Sequence, residues 1–156
     1  MENKELIKPT VESLLQDFPV KLDILVQWRD MDMAHHVNNV VYLKWFEYAR
    51  VEYLMQLTEY QSNSFGGVAM VIASQQCKYI FPVTFPDTIV AGIRITEVAE
   101  DRYTMECHMV SKKHQRLVAI ATAIVVAFDL QKQQKTALPP ALKDKVLALE
   151  QGKKDN

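Results

Sequence analysis

Eleven consecutive residues bring together two carboxylates, two adjacent histidines and two asparagines: Arg29-Asp30-Met31-Asp32-Met33-Ala34-His35-His36-Val37-Asn38-Asn39. Groups of this kind act as bases, nucleophiles or metal ligands. The stretch is too polar for a strand or a core and reads as a loop, and its closing asparagines are good N-caps for a helix that follows. A metal site is not expected, because adjacent histidines on a strand would point to opposite faces and His108 and His114 lie far away in sequence. The two cysteines, Cys77 and Cys107, have no CxxC spacing and no neighbouring histidine motif, so they read as buried thiols.

The four glycines, Gly66, Gly67, Gly92 and Gly152, cannot be assembled into G-x-G-x-x-G, a Walker-type loop or G-x-S-x-G. Rossmann-type nicotinamide enzymes, P-loop NTPases and the usual serine hydrolases are therefore disfavoured, and no cofactor is expected. Eighteen Lys+Arg against nineteen Asp+Glu leave a net charge of -1, without the basic excess of a nucleic-acid binder. The 156 residues, 49% apolar, suit one globular domain. Residues 1–18 read as a surface lead-in, 19–150 as the domain and 151–156 as a polar tail. The longest apolar stretch, Val40 to Leu57, contains Lys44, Glu47, Arg50, Glu52 and Gln56, which rules against a membrane span. The first residues lack the features of a secretory signal, and a cytoplasmic protein with reduced thiols is expected.

The elements that must position the polar loop follow from periodicity. Val20, Leu22, Ile24, Val26 and Trp28 share one face, with Lys21, Asp23, Gln27 and Arg29 among those on the other, as in a half-buried strand. After the loop, Val40 to Leu57 is a helix apolar around most of its circumference, so another layer must wrap it. Four β-rich runs follow, Val68 to Phe81, Thr88 to Ala99, Tyr103 to Ser111 and Arg116 to Leu130, joined by short turns. In the last of them small residues (Ala119, Ala121, Ala123, Ala127) alternate with bulky ones, which lets one face pack closely against another layer. Pro139-Pro140 opens a terminal helix carrying Leu142, Val146 and Leu149 at helical spacing. The pattern implies an α+β hotdog fold, a curved antiparallel sheet around a long central helix. Its open sheet edge and partly uncovered helix predict a homodimer, with a homotetramer as the larger alternative.

The segment Trp28 to Tyr42, followed by Phe46-Glu47-Tyr48-Ala49-Arg50, resembles hotdog acyl-CoA thioesterases of the 4-hydroxybenzoyl-CoA thioesterase type, and His36-Val37-Asn38-Asn39-Val40-Val41-Tyr42 is similar to a segment of plant acyl-ACP thioesterases. Tyr79, Pro82 and Asp87 look like that family's second-strand signature. The chain departs from its relatives at Ala34, where the plant enzymes have asparagine, and at His35, where many bacterial ones have glycine. The resemblance implies hydrolysis of an acyl-CoA or acyl-carrier-protein thioester. It makes Asp32 the base or nucleophile, Asn39 the residue whose backbone amide polarises the carbonyl, and His36 an assistant to the aspartate.

Physical chemistry supports that division of labour. A thiol of pKa near ~8.5 leaves without a strong acid, so the chief demand is stabilising charge on the carbonyl oxygen, which N–H groups at a helix start can meet. Asp30 reads as structural, paired with Arg29. Glu47 is the competing catalytic carboxylate, although Lys44 and Arg50 offer it helical ion pairs. Tyr42, Trp45 and Phe46 are candidate substrate contacts as well as candidate core. Lys78, Arg94, Lys112, Lys113 and Arg116 are candidates to meet the phosphates of coenzyme A. Two other activities use the same scaffold: a hydratase or dehydratase of enoyl thioesters, and an acyl-CoA-binding module without turnover.

Overall fold

The computed structural model describes residues 6–57 and 64–152; the Lys153-Lys154-Asp155 part of the expected tail lies outside them. In chain order the elements are α1 (Val11–Leu15), β1 (Val20–Leu25), a single 3-10 turn (Trp28–Asp30), α2 (Asn39–Leu57), β2 (Ser64–Phe65), β3 (Val68–Tyr79), β4 (Thr88–Val98), β5 (Arg102–Ser111), β6 (Arg116–Asp129), β7 (Gln134–Lys135) and α3 (Pro140–Gly152). The strands form one antiparallel sheet in the order β1-β4-β5-β6-β3-β2, with β7 beside β6. Consecutive hairpins join β4, β5 and β6, whereas β3 returns to the far side of β6. This is the hotdog architecture the periodicity predicts.

α2 lies against the sheet and buries Tyr42, Trp45, Phe46, Ala49, Tyr53 and Leu57, a stripe at helical spacing. The alanines of β6, at 119, 121, 123 and 127, are buried in the same core. Each large apolar side chain enclosed there contributes about 1.5–3 kcal/mol. α3 closes one end: Leu142 and Val146 join the core, and Glu150 accepts hydrogen bonds from the Tyr53 hydroxyl and the Ile95 N–H, both at 2.7 Å.

The enclosure of α2 is one-sided, in keeping with the partly uncovered helix expected from the sequence. Val40, Tyr48, Val51 and Met55 remain exposed, because one sheet reaches only one face of the helix. Two residues of β2 pair with Val68 and Ala69, and from Met70 to Tyr79 the outer edge of β3 has no strand partner among the described residues.

Two expectations change in three dimensions. Trp28 does not continue the buried face of β1; it is 72% exposed and packs edge-on against Phe85. The Val26 N–H still bonds the Asp87 carbonyl in the register of β1 and β4, and the strand then gives way to the 3-10 turn Trp28–Asp30, which takes Trp28 off the buried face. The lead-in is also more than surface. Thr10 caps α1 reciprocally with Ser13, and Leu15 and Phe18 are buried against Val90 and Val110 on the side of the sheet away from α2. Gly92 makes this docking possible, since a Cβ there would lie 2.8 Å from Leu15 and 2.9 Å from Phe18.

Candidate active site

The polar loop is folded back on itself ahead of α2. Met31 bridges Val37, the Asp32 N–H donates to the His36 carbonyl at 3.1 Å, and the His35 N–H donates to the Asp32 carbonyl at 2.9 Å. His35 sits at the tip with φ 60°, in the left-handed region that favours glycine.

The loop fastens the Asp32 carboxylate to the start of α2. Asp32 Oδ1 accepts from the Ala34 N–H at 2.8 Å, and Oδ2 accepts from the Asn38 side-chain amide at 2.9 Å. Asn38 in turn caps α2: its Oδ1 accepts from the Val40 N–H at 2.9 Å, and its carbonyl accepts from Val41 at 3.0 Å. The Asn39 N–H has no hydrogen-bond partner among the described residues. It is therefore a donor at the positive end of the helix dipole that remains available to a ligand.

A cleft of about 310 Å³ opens beside that donor, walled by His36, Val37, Asn39 and Tyr42 on one side and Tyr79 to Pro82 on the other. The Tyr79 hydroxyl donates to the Asn39 carbonyl at 3.0 Å and so ties β3 to the first residue of α2. Burial pushes the Tyr42 hydroxyl up to about 12, with the backbone of Val83 acting in the opposite direction, so Tyr42 stays neutral at physiological pH. The walls are thus mostly apolar, with polar groups concentrated at the helix tip.

The remaining candidates divide clearly by position. Asp32 is exposed and is not itself a wall of the cleft; Asn38 and the His36 carbonyl fasten it to the cleft's rim. His36 is a wall residue, and among the described residues its imidazole makes no hydrogen bond to Asp32. Tyr42 lines the cleft, whereas Trp45 and Phe46 are sealed in the core and contribute no wall. Glu47 is exposed and lies 3.7 Å from Lys44, as the helical spacing predicts. Arg50 instead turns its guanidinium over the Phe46 ring, 4.6 Å from the centroid, and reaches Gln75. Asp30 is held by the Gln27 N–H at 2.7 Å rather than by Arg29, because the 3-10 turn brings that donor to it. No group of three or more His, Cys, Asp and Glu side chains suited to a metal occurs among the described residues.

Sequence reasoning assigned Asn38 a capping role but no hold on Asp32, assigned Tyr79 only a place in the second-strand signature, and assigned no task to Phe81. The signal for Asn38 was present in the doubled asparagine before an apolar helix. The parts played by Tyr79 and Phe81 depend on β3 meeting α2, which local pattern does not reveal.

Comparison with known proteins agrees with this architecture. The long-chain acyl-CoA thioesterase FadM of Escherichia coli is 24% identical over 127 residues, covering 81% of this chain and 96% of its own. A thioesterase of Thermus thermophilus, solved with coenzyme A and zinc, superposes with a TM-score of 0.76 at 27% identity, covering 86% of this chain and 96% of the other. A Pseudomonas aeruginosa protein superposes with a TM-score of 0.75 at 26% identity, over 86% of this chain and 94% of its own. The model of the thioesterase-like superfamily matches residues 26–146, which contain the polar loop, the cleft and the whole of β3 to β6, and the chain belongs to that superfamily.

Proposed function

We propose that this protein hydrolyses acyl-CoA thioesters to the free acid and coenzyme A. The observation that carries the reading is the bridge through Asn38, which holds a carboxylate on one side and leaves the adjacent Asn39 N–H unpartnered on the other, at the mouth of an apolar cleft. With the thioester carbonyl at that N–H, Asp32 takes a proton from water as the water oxygen bonds to the acyl carbon. The negative charge gathers on the carbonyl oxygen beside the helix dipole. The intermediate then collapses by breaking the carbon–sulfur bond, and the thiolate leaves to be protonated by solvent. Direct attack by Asp32 would form an acyl-aspartyl anhydride that water hydrolyses to the same products.

The test follows free thiol released from acyl-CoAs of short, medium, long and aromatic type, with long chains first in view of FadM. Asp32→Asn is expected to lower kcat by about 100-fold or more while leaving thermal unfolding unchanged. Full activity in that variant overturns the assignment of Asp32. Loss of enoyl absorbance without thiol release would indicate a hydratase, and binding without turnover across the panel would indicate a binding module.

The same reading includes a homodimer. Its support is the open edge of β3 from Met70 to Tyr79 beside the exposed α2 residues Val51 and Met55, since pairing two such edges satisfies backbone groups and covers apolar surface together. Light scattering on the purified chain tests it, and a tetramer is the larger assembly to distinguish. Action in the cytoplasm is part of the proposal too, in keeping with two free cysteines. No described helix is long and apolar enough to cross a membrane.

A further inference from the structure

Gln75, Cys77 and Tyr79 alternate along the end of β3 on the face toward α2. Gln75 reaches Arg50, Cys77 packs on the core, and the Tyr79 hydroxyl donates to the Asn39 carbonyl at 3.0 Å. The Tyr79 ring is braced: it meets the Tyr42 ring edge-on at 5.1 Å, and Tyr42 rests at 5.0 Å on Trp45, which is sealed in the core. The backbone beyond it is pinned as well, since the Ile80 and Phe81 N–H groups both donate to the Val118 carbonyl, at 2.8 and 3.2 Å. The hydroxyl therefore meets α2 from a fixed point.

What it holds is the peptide between Asn39 and Val40. The N–H of that peptide, on Val40, donates to Asn38 Oδ1 at 2.9 Å, and its carbonyl, on Asn39, accepts from Tyr79. In the peptide before it, the Asn38 carbonyl accepts from Val41 at 3.0 Å, and the Asn39 N–H has no partner among the described residues. The two planes meet at the Asn39 Cα, so with one plane held at both ends the direction of the free N–H depends on only two dihedrals. A donor that meets charge developing on a substrate oxygen is effective when its direction is set before the reaction begins.

We propose that Tyr79 is a positioning residue: by holding the Asn39 carbonyl it keeps the Asn39 N–H aimed into the cleft, so that loss of its hydroxyl slows turnover without weakening substrate binding. The effect on turnover rests on the thioesterase reading; the hold on the peptide does not.

Tyr79 also walls the cleft, and the two roles leave different traces. Tyr79→Phe keeps the ring and the wall and removes the hydroxyl alone. Tyr48→Phe, which removes an exposed hydroxyl farther along α2, is the control. In thiol-release kinetics Tyr79→Phe should lower kcat roughly tenfold and leave KM within about twofold. The fractional loss should be the same for every acyl-CoA turned over, because the donor meets the carbonyl oxygen common to all of them. Unchanged kcat, a loss that falls on KM, or a loss that varies with the acyl group would leave Tyr79 a wall residue and overturn the proposal. Hydrogen exchange at the Val40 amide reads the hold directly. It should quicken roughly tenfold in Tyr79→Phe and stay as it was in Tyr48→Phe, while the amides of β5, which report any general loosening, keep their protection. Unchanged exchange at Val40 overturns the proposal whether or not any ester is cleaved. Should no acyl-CoA release thiol from the unaltered chain, the thioesterase reading fails and the Val40 amide alone decides the hold of Tyr79.

Discussion

The side-chain amide of Asn38 donates to the Asp32 carboxylate at 2.9 Å while its oxygen caps α2 through the Val40 N–H, also at 2.9 Å. One side chain thus fixes both the loop carboxylate and the start of the helix. The two tasks can be separated by substitution. Asn38→Ala loses the cap and the donor together and should cost about 0.5–2 kcal/mol of stability along with activity. Asn38→Asp keeps a good cap but sets a carboxylate against Asp32, so kcat should fall roughly tenfold or more with a smaller loss of stability. Thermal unfolding and thiol release on the two variants check this; equal kcat in Asn38→Asp and the unaltered chain would remove Asn38 as a positioning residue.

His35 occupies a left-handed conformation at the loop tip. A non-glycine residue there costs about 1–2 kcal/mol, against about 0.5–1 kcal/mol of extra chain entropy lost by glycine, so His35→Gly should be stabilising by about 0.5–1 kcal/mol. His35→Val, with a branched Cβ in the same conformation, should be destabilising. Denaturant midpoints for the pair decide the point.

Gly92 lies where β4 meets the N-terminal segment, and an added methyl would press on Leu15 and Phe18. Gly92→Ala should destabilise by about 1–3 kcal/mol through overpacking. Hydrogen exchange should locate the loosening at residues 11–18, leaving the central strands protected. Uniform loss of protection across the sheet would show that the segment does not yield separately.

The charged cluster on β4 and β5 gives a pH dependence. Burial raises the Glu106 carboxyl, but hydrogen bonds from Arg94 and His108 outweigh it and hold the group below its ordinary value. A carboxylate with a lowered folded-state pKa stabilises fully above its unfolded value and loses that contribution as pH falls through the folded value. Glu106→Gln should therefore cost about 1–3 kcal/mol at neutral pH. The gap between the variant and the unaltered chain should shrink only below the ordinary glutamate pKa of 4.5. Melting temperatures at stepped pH provide the measurement, and a constant gap down to strong acid would contradict it.

The amino-acid order by itself determined the elements and the chemical inventory. Alternation and helical spacing are local properties, so β3 to β6, the long helix and the terminal helix stand close to where periodicity places them. The loop with Asp32 and the doubled asparagine was equally legible, because a cap and its carboxylate lie within one short segment. Tertiary structure decided what depends on partners distant along the chain. It turned Trp28 outward, because a 3-10 turn replaces the strand there, and it buried Leu15 and Phe18 against a sheet face that Gly92 leaves open. It placed Tyr42 at the cleft but Phe46 in the core, although four residues separate them on one helix, since the end of β3 crosses only the helix tip. It also committed Arg94 and Lys112 to carboxylates and left Arg116 beside Phe81, a sorting made by cross-strand and cross-layer neighbours that no local pattern encodes.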